Sequence, residues 1–258
     1  MALAALCEDT EWGFLWRDVL QHRFSTEGAL NGHALGNLLI AGLWSRTGDV
    51  IEGLDWVARL LRAQGRVLPL ASEALQISAD VEFEDGVREV TGQVAVATAP
   101  GRISRVWLDP VTPKVPKETL AAIAEADHVI LGPGSWYSSV LPHFLVAPVA
   151  KELSLAGSRS IVSLNIAHED DETIGMGRFD DLNALRRVAP DFHPAVVIVD
   201  ESHIDDPGLR ALIEDLGART VVRAMLREGT VDRHDPKLLA DAYREAFGLI
   251  HGGECARK

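Results

Sequence analysis

Hydrophobic residues recur at helical spacing through the first quarter of the chain, over residues 2–20, His33 to Ser45 and Val50 to Arg62, so this part is expected to be mostly α. Near Val67 the period shortens. LQISADVEF and VREVTGQVAVAT flank Glu84-Asp85-Gly86, the arrangement of a β-hairpin closed by a tight acidic-glycine turn. ISRVWLDP reads as a further strand, and Pro110, Pro113 and Pro116 punctuate a loop ahead of a helix over Lys117 to Glu125. Short apolar runs then alternate with helix-like segments: Asp127 to Leu131, SIVSLNIA, PAVVIVD and ARTVVRA. Such alternation implies a parallel sheet with crossover helices, and hence an α/β fold.

The run VILGPGSWYSSVL, residues 129–141, carries the sharpest chemical signal. A strand ending at Leu131 would deliver the chain to Gly132, Pro133 and Gly134, where missing side-chain bulk leaves backbone N–H groups facing outward before a helix. Ser135 is placed to cap that helix. An anion there would meet amide donors and the positive end of a helix dipole, which points to a phosphorylated ligand. An ordinary strand-turn-helix connection accounts for the same letters.

Composition narrows the partners. The 258 residues carry 25 basic against 38 acidic groups, a formal charge of -13, which argues against a broad nucleic-acid footprint and against an anionic membrane surface. Cys7 and Cys255 form no metal-ligand spacing and no disulfide framework, and a reducing cytoplasm is the expected location. The opening MALAALCEDTEW lacks the basic flank and long apolar region of a signal peptide.

Parallel sheets bind ligands beyond the carboxyl ends of their strands, which singles out the turn after Leu131, Asn165, the segment Asp200 to His203 and the approach to Arg233. The Asn165 amide can donate and accept at once, as a sugar hydroxyl or base edge requires, or simply satisfy its own loop. His168 to Thr173, HEDDET, gathers four carboxylates; a divalent cation is one reading, but the spacing fits no standard metal motif and a solvated acidic loop is the plainer one. Asp200, Glu201 and His203 invite acid-base chemistry, and helix initiation explains them equally. Asp235 ahead of Pro236 suits a helix N-cap, leaving Arg233 as the better clamp for phosphate or carboxylate. Gly32-His33-Ala34-Leu35-Gly36-Asn37 supports either close approach to a ligand or tight helix packing.

Three segments together resemble the YvcK/CofD family: LNGHALGNLLIAGL, then ADHVILGPGSWYSSVLPHFLV, then NIA with ETIGM and the late RHD. The second is the most specific. The resemblance spans nearly the whole chain and implies a single CofD-like domain over 1–258, a Rossmann-like three-layer parallel sheet with an inserted β-hairpin. It departs from the family pattern at the start, where a glycine-rich GGGTGL turn and a DDGGSSGRLR segment are expected and neither is present. The resemblance therefore implies an N-terminally incomplete member with its first strand or strands missing.

For function, the resemblance to the YvcK branch implies a cytoplasmic regulatory protein that binds UDP-N-acetylglucosamine and links gluconeogenic growth to cell-wall synthesis and cell shape. No catalytic residue and no metal are expected in that reading, NADP is the competing dinucleotide ligand, and the partners are the nucleotide-sugar, a protein of cell-wall regulation and a second copy of the chain. The CofD branch implies instead a 2-phospho-L-lactate transferase of coenzyme F420 synthesis, and an inactive truncated chain is the third reading. Carried over by position, Gly132, Gly134 and Ser135 would hold phosphate, Tyr137 would lie beside the base or sugar, and Asn37, Asn165 and Arg233 would complete the site.

Overall fold

A computed structural model describes residues 2–167 and 177–255; the HEDDET segment and the ETIGM motif fall outside the described residues. The chain divides into two compact units, residues 1–72 and 73–258.

The first unit is helical, as its periodicity predicts. The expected helix over 2–20 is two helices, α1 (Ala2–Ala5) and α2 (Glu11–Gln21), because Thr10 interrupts the chain and caps α2 by accepting the Gly13 N–H. α3 (Leu35–Thr47) and α4 (Val50–Leu61) follow, the latter opened by Asp49, whose carboxylate accepts the Ile51 and Glu52 N–H groups. Leu3, Leu20, Leu54, Val57 and Leu61 form the core of this unit.

The second unit opens with an antiparallel sheet of order β2-β1-β3, built from β1 (Gln76–Phe83), β2 (Gly86–Thr91) and β3 (Arg102–Asp109). The hairpin is closed at Glu84-Asp85, with Phe83 paired to Gly86. The second expected strand is shorter than VREVTGQVAVAT: the chain turns at Gly92 and winds into α5 (Gln93–Ala97), which buries Val96 completely. A strand continued through Gln93 would have put Val94 and Val96 on one face; the helix separates them, burying Val96 against the sheet and leaving Val94 exposed.

After α6 (Lys117–Glu125) comes a parallel sheet in the order β4-β5-β6-β7, formed by β4 (Val129–Leu131), β5 (Ser160–Ser163), β6 (Val196–Asp200) and β7 (Arg219–Arg223). Among the described residues β4 pairs with β5 alone. Between β4 and β5 run α7 (Pro142–Leu145) and α8 (Ala147–Leu155), and α9 (Arg178–Val188) and α10 (Pro207–Asp215) precede β6 and β7. The last helix, α11 (Pro236–Cys255), lays Ala242, Ala246 and Ile250 on the face made by Ile161, Val196, Ile198 and Val221. Leu209 and Ile213 of α10 face Val199, Thr220 and Val222 on the opposite side. This is the Rossmann-like layering that the continuous apolar runs require, since strands buried on both faces leave no polar side for water. No described helix is long and apolar enough to cross a membrane.

Candidate functional site

β4 ends at Leu131, and the backbone enters the turn at Gly132 with φ +74°. A Cβ at this position would lie 2.5 Å from the Ser163 carbonyl oxygen of β5, so only glycine lets the turn lie this close to the neighbouring strand. The turn is held from two more sides. Asn165, just past β5, accepts the Gly134 N–H at 2.8 Å and donates its own amide to the Gly134 carbonyl at 2.8 Å. Tyr243 of α11 donates to the Gly132 carbonyl at 3.4 Å; burial pushes its phenol up from the ordinary value, opposed by the Ser163 hydroxyl.

Beyond Ser135 the chain winds a single wide turn over Trp136–Val140, with Val140 N–H donating to the Ser135 carbonyl and Leu141 N–H to that of Trp136. Bonds spanning five residues make such turns wider than an α-helix, and they recur where a protein positions ligands. The widening changes the role of Ser135. Its hydroxyl pairs with the Ser138 hydroxyl rather than capping a backbone N–H as expected from the sequence, because the expanded winding brings Ser138 over it.

Behind the turn lies a buried ion pair. Arg178 and Asp181, one turn apart on α9, have side chains 3% and 1% exposed and approach to 3.5 Å. The Arg178 guanidinium donates to the Asn165 carbonyl at 3.1 Å, and the Trp136 indole donates to the Asp181 carbonyl at 2.6 Å. Burial lowers the Arg178 pKa from its ordinary value while the Asp181 charge supports it. Arg178 thus fixes the residue that grips Gly134, and the α9 backbone at Asp181 holds the first residue of the wide turn.

The carboxyl end of β6 is organised the same way. Asp200 accepts the Met225 N–H at 2.7 Å and, on its other oxygen, the Ser202 N–H at 3.1 Å and hydroxyl at 2.7 Å. Burial opposes its charge, but these hydrogen bonds and the nearby His203 hold the carboxyl below its ordinary range. His203 bonds the Ile166 carbonyl, tying the β6 end to the β5 end. Of the two readings of this segment, initiation of a short helical turn is the one its hydrogen bonds satisfy. His234 is half-buried; burial lowers its pKa, opposed by the Asp200 charge and the Leu164 carbonyl. Asp235 caps α11 by accepting the Lys237 and Leu238 N–H groups.

The expected residues are thus brought together in part. Gly132, Gly134, Ser135 and Asn165 share the turn, and Asn165 acts on the turn's own backbone through both ends of its amide. Arg233 lies exposed in the loop after β7, its carbonyl accepting the Arg227 N–H at 2.8 Å. Tyr137 is buried and its side chain lines a cleft walled by β3 and α9. Asn37 sits exposed in the first turn of α3, in the amino-terminal unit. Sequence reasoning missed Arg178, Asp181 and Tyr243. Arg and Asp three apart at a helix start read as surface charge, and a tyrosine in an amphipathic helix reads as core.

Known proteins place the chain in context. Residues 1–225 match the family model described as 2-phospho-L-lactate transferase CofD. The chain is 40% identical to the "Putative gluconeogenesis factor" of Mycobacterium tuberculosis (strain H37Rv), over 100% of this chain and 75% of that protein. It is 36% identical to the gluconeogenesis factor of Bacillus subtilis, over 67% of this chain and 54% of that protein. A crystal structure of a UPF0052 family member from Bacillus halodurans superposes with a TM-score of 0.79 at 30% identity, covering 96% of this chain and 80% of that one.

Proposed function

This chain belongs to the CofD family, among the relatives named as gluconeogenesis factors, and from that premise we propose that it is a regulatory protein that binds a nucleotide-sugar, UDP-N-acetylglucosamine, and links gluconeogenic carbon metabolism to cell-wall synthesis and cell shape. One observation carries the reading: a glycine turn at the carboxyl end of β4, held rigid by Asn165 and by the buried Arg178–Asp181 pair. A turn braced before ligand arrives loses little freedom on binding, which favours recognition of a small phosphorylated molecule. The strand-end position is where open parallel sheets take nucleotides. Regulation follows if the ligand binds one conformation better than another, with no bond made or broken.

Calorimetric titration of the full chain with UDP-N-acetylglucosamine, against GDP and NADP under identical conditions, tests the proposal. Selective binding of the UDP-sugar is expected. Ser135→Ala and Arg233→Ala should each weaken it by about 1–3 kcal/mol if they contact phosphate; unchanged affinity in both removes the assignment of these residues. The family model's own description favours a second reading, phosphoryl transfer. Magnesium-dependent turnover of a phospholactyl nucleotide donor would replace the regulatory reading with that one.

A further inference from the structure

Past Tyr137 the same unit holds a second concavity. β3 reads Arg-Ile-Ser-Arg-Val-Trp-Leu from Arg102 to Leu108, and strict alternation from the inward-facing Val106 and Leu108 would send Ser104 and Arg102 to the core. A bulge prevents this. The pairing steps from Asp80 opposite Arg105 to Val81 opposite Ile103, so Ser104 is the extra residue, and its hydroxyl bonds the Asp80 carbonyl at 3.2 Å. Ile103 turns inward, while Arg102, Ser104 and Arg105 stay exposed. An irregularity that gives up a ladder position thereby delivers two guanidiniums to one opening, as bulges beside binding sites do.

α9 adds a third guanidinium, Arg187, across a cleft of about 490 Å³ that Tyr137 also lines. The volume is that of a small-molecule site. Its charge is opposite to that of the chain: three arginines against Glu82 and Asp180 give +1, where the whole chain carries -13. Within the cleft Asp180 lies 3.7 Å from Arg102 and offsets part of its charge, while also accepting the Gly177 N–H at 2.8 Å. Arg105 lies over the Trp107 ring, 5.2 Å from its centroid, which restrains a long side chain beside the opening.

We infer that this cleft is a second ligand site, taking a small metabolite through phosphate or carboxylate oxyanions held by Arg102, Arg105 and Arg187. The chain as a whole is acidic, so a local basic concavity is where such an anion is retained, and planar guanidinium forks match both oxyanion types. The cleft shares elements with the surroundings of the glycine turn. α9 carries Arg187 near one end and Arg178 and Asp181 at the other, and Tyr137 follows the Trp136 that Asp181 holds. The inference stands apart from the nucleotide-sugar reading.

Calorimetric titration of the full chain with pyrophosphate and with citrate tests it, using wild type, R105A/R187A and Ser135→Ala. Binding of at least one probe to wild type, weakened about tenfold or more in R105A/R187A and retained in Ser135→Ala, is the expected result. Pyrophosphate alone would mark a phosphate ligand, and citrate alone a carboxylate ligand. No binding of either probe, equal binding by R105A/R187A, or loss in Ser135→Ala only would overturn it. Both arginines are exposed, so the double variant should melt with wild type; should it melt earlier, Arg187→Ala alone makes the same comparison. Titrating UDP-N-acetylglucosamine into R105A/R187A separates the two proposals: affinity equal to wild type keeps the cleft a distinct site, and a tenfold loss would merge it with the nucleotide-sugar site and overturn the assignment.

Discussion

Two tight turns of the larger unit share a glycine signal and differ in everything around it. At Gly86, with φ +132°, an added Cβ would meet nothing within 4 Å, and the strand that follows is exposed, Val87 to 60%. At Gly132, with φ +74°, the same atom would fall 2.5 Å from the Ser163 carbonyl, and behind the turn stand Asn165, Tyr243 and a buried ion pair. Both glycines provide a backbone conformation that other residues rarely adopt. Only at Gly132 is that conformation loaded with packing and hydrogen bonds from three other elements, and this bracing is what distinguishes a candidate binding turn from a hairpin connection.

The strongest way to break the contrast is to remove the brace. Asp181→Ala leaves the Arg178 guanidinium, 3% exposed, without its counter-charge, and such half-pairs cost about 3–5 kcal/mol. We expect a large fall in the urea midpoint and a loss of ligand binding at the turn. The corresponding cut beside the hairpin, Asp85→Ala, removes an ion pair with Arg88 whose partners are 60% and 74% exposed, and the midpoint should hardly move. Equal effects of the two would show that the buried pair does not brace the turn.

A smaller effect separates the glycines themselves. Gly132→Ala and Gly86→Ala both place a side chain at positive φ, which costs about 1–3 kcal/mol. Gly132→Ala adds a collision with backbone that has no flexible end to move, and overpacking of this kind costs a further 1–3 kcal/mol, roughly. The difference between the two midpoints, rather than either value, measures how tightly the turn lies against β5. Identical midpoints would mean that the turn relaxes away from Ser163 without penalty.

The contrast also explains what the sequence could and could not convey. The parallel strands were legible because burial on both faces forces continuous apolar runs such as Val196 to Val199, and α6 was legible because prolines delimit it. The glycine turn was legible from backbone chemistry alone. Its bracing was not, because Asn165, Arg178 and Tyr243 lie well beyond the turn in the chain, and nothing local in their neighbours' pattern marks them as its partners. Trp136 shows the same limit: it is 2% exposed and bonded to the Asp181 carbonyl, a contact that nothing in its own segment marks. The short helix α5 escaped detection because Val94 and Val96 alternate with alanine as well in a strand as in one helical turn, and the choice rests on the contact of Val96 with the sheet.

The finest test moves from the turn to the next strand end, where His234 senses Asp200. Burial holds the imidazole below its ordinary value of 6.5, and the Asp200 charge works against that shift. Asp200→Asn removes the opposing charge, so the His234 pKa should fall further, which an NMR titration of the imidazole Cε1–H reads directly. The sign of the linkage follows. A histidine kept neutral by the fold contributes stability that is fully present above about pH 6.5 and is lost as the pH falls through its folded pKa. In Asp200→Asn, the loss on acidification should grow and continue to lower pH, although the variant is less stable throughout for weakening the bonds to Met225 and Ser202. A His234 pKa that rises in the variant would mean that Asp200 does not act on it electrostatically, and the strand ends would then be joined through hydrogen bonds alone.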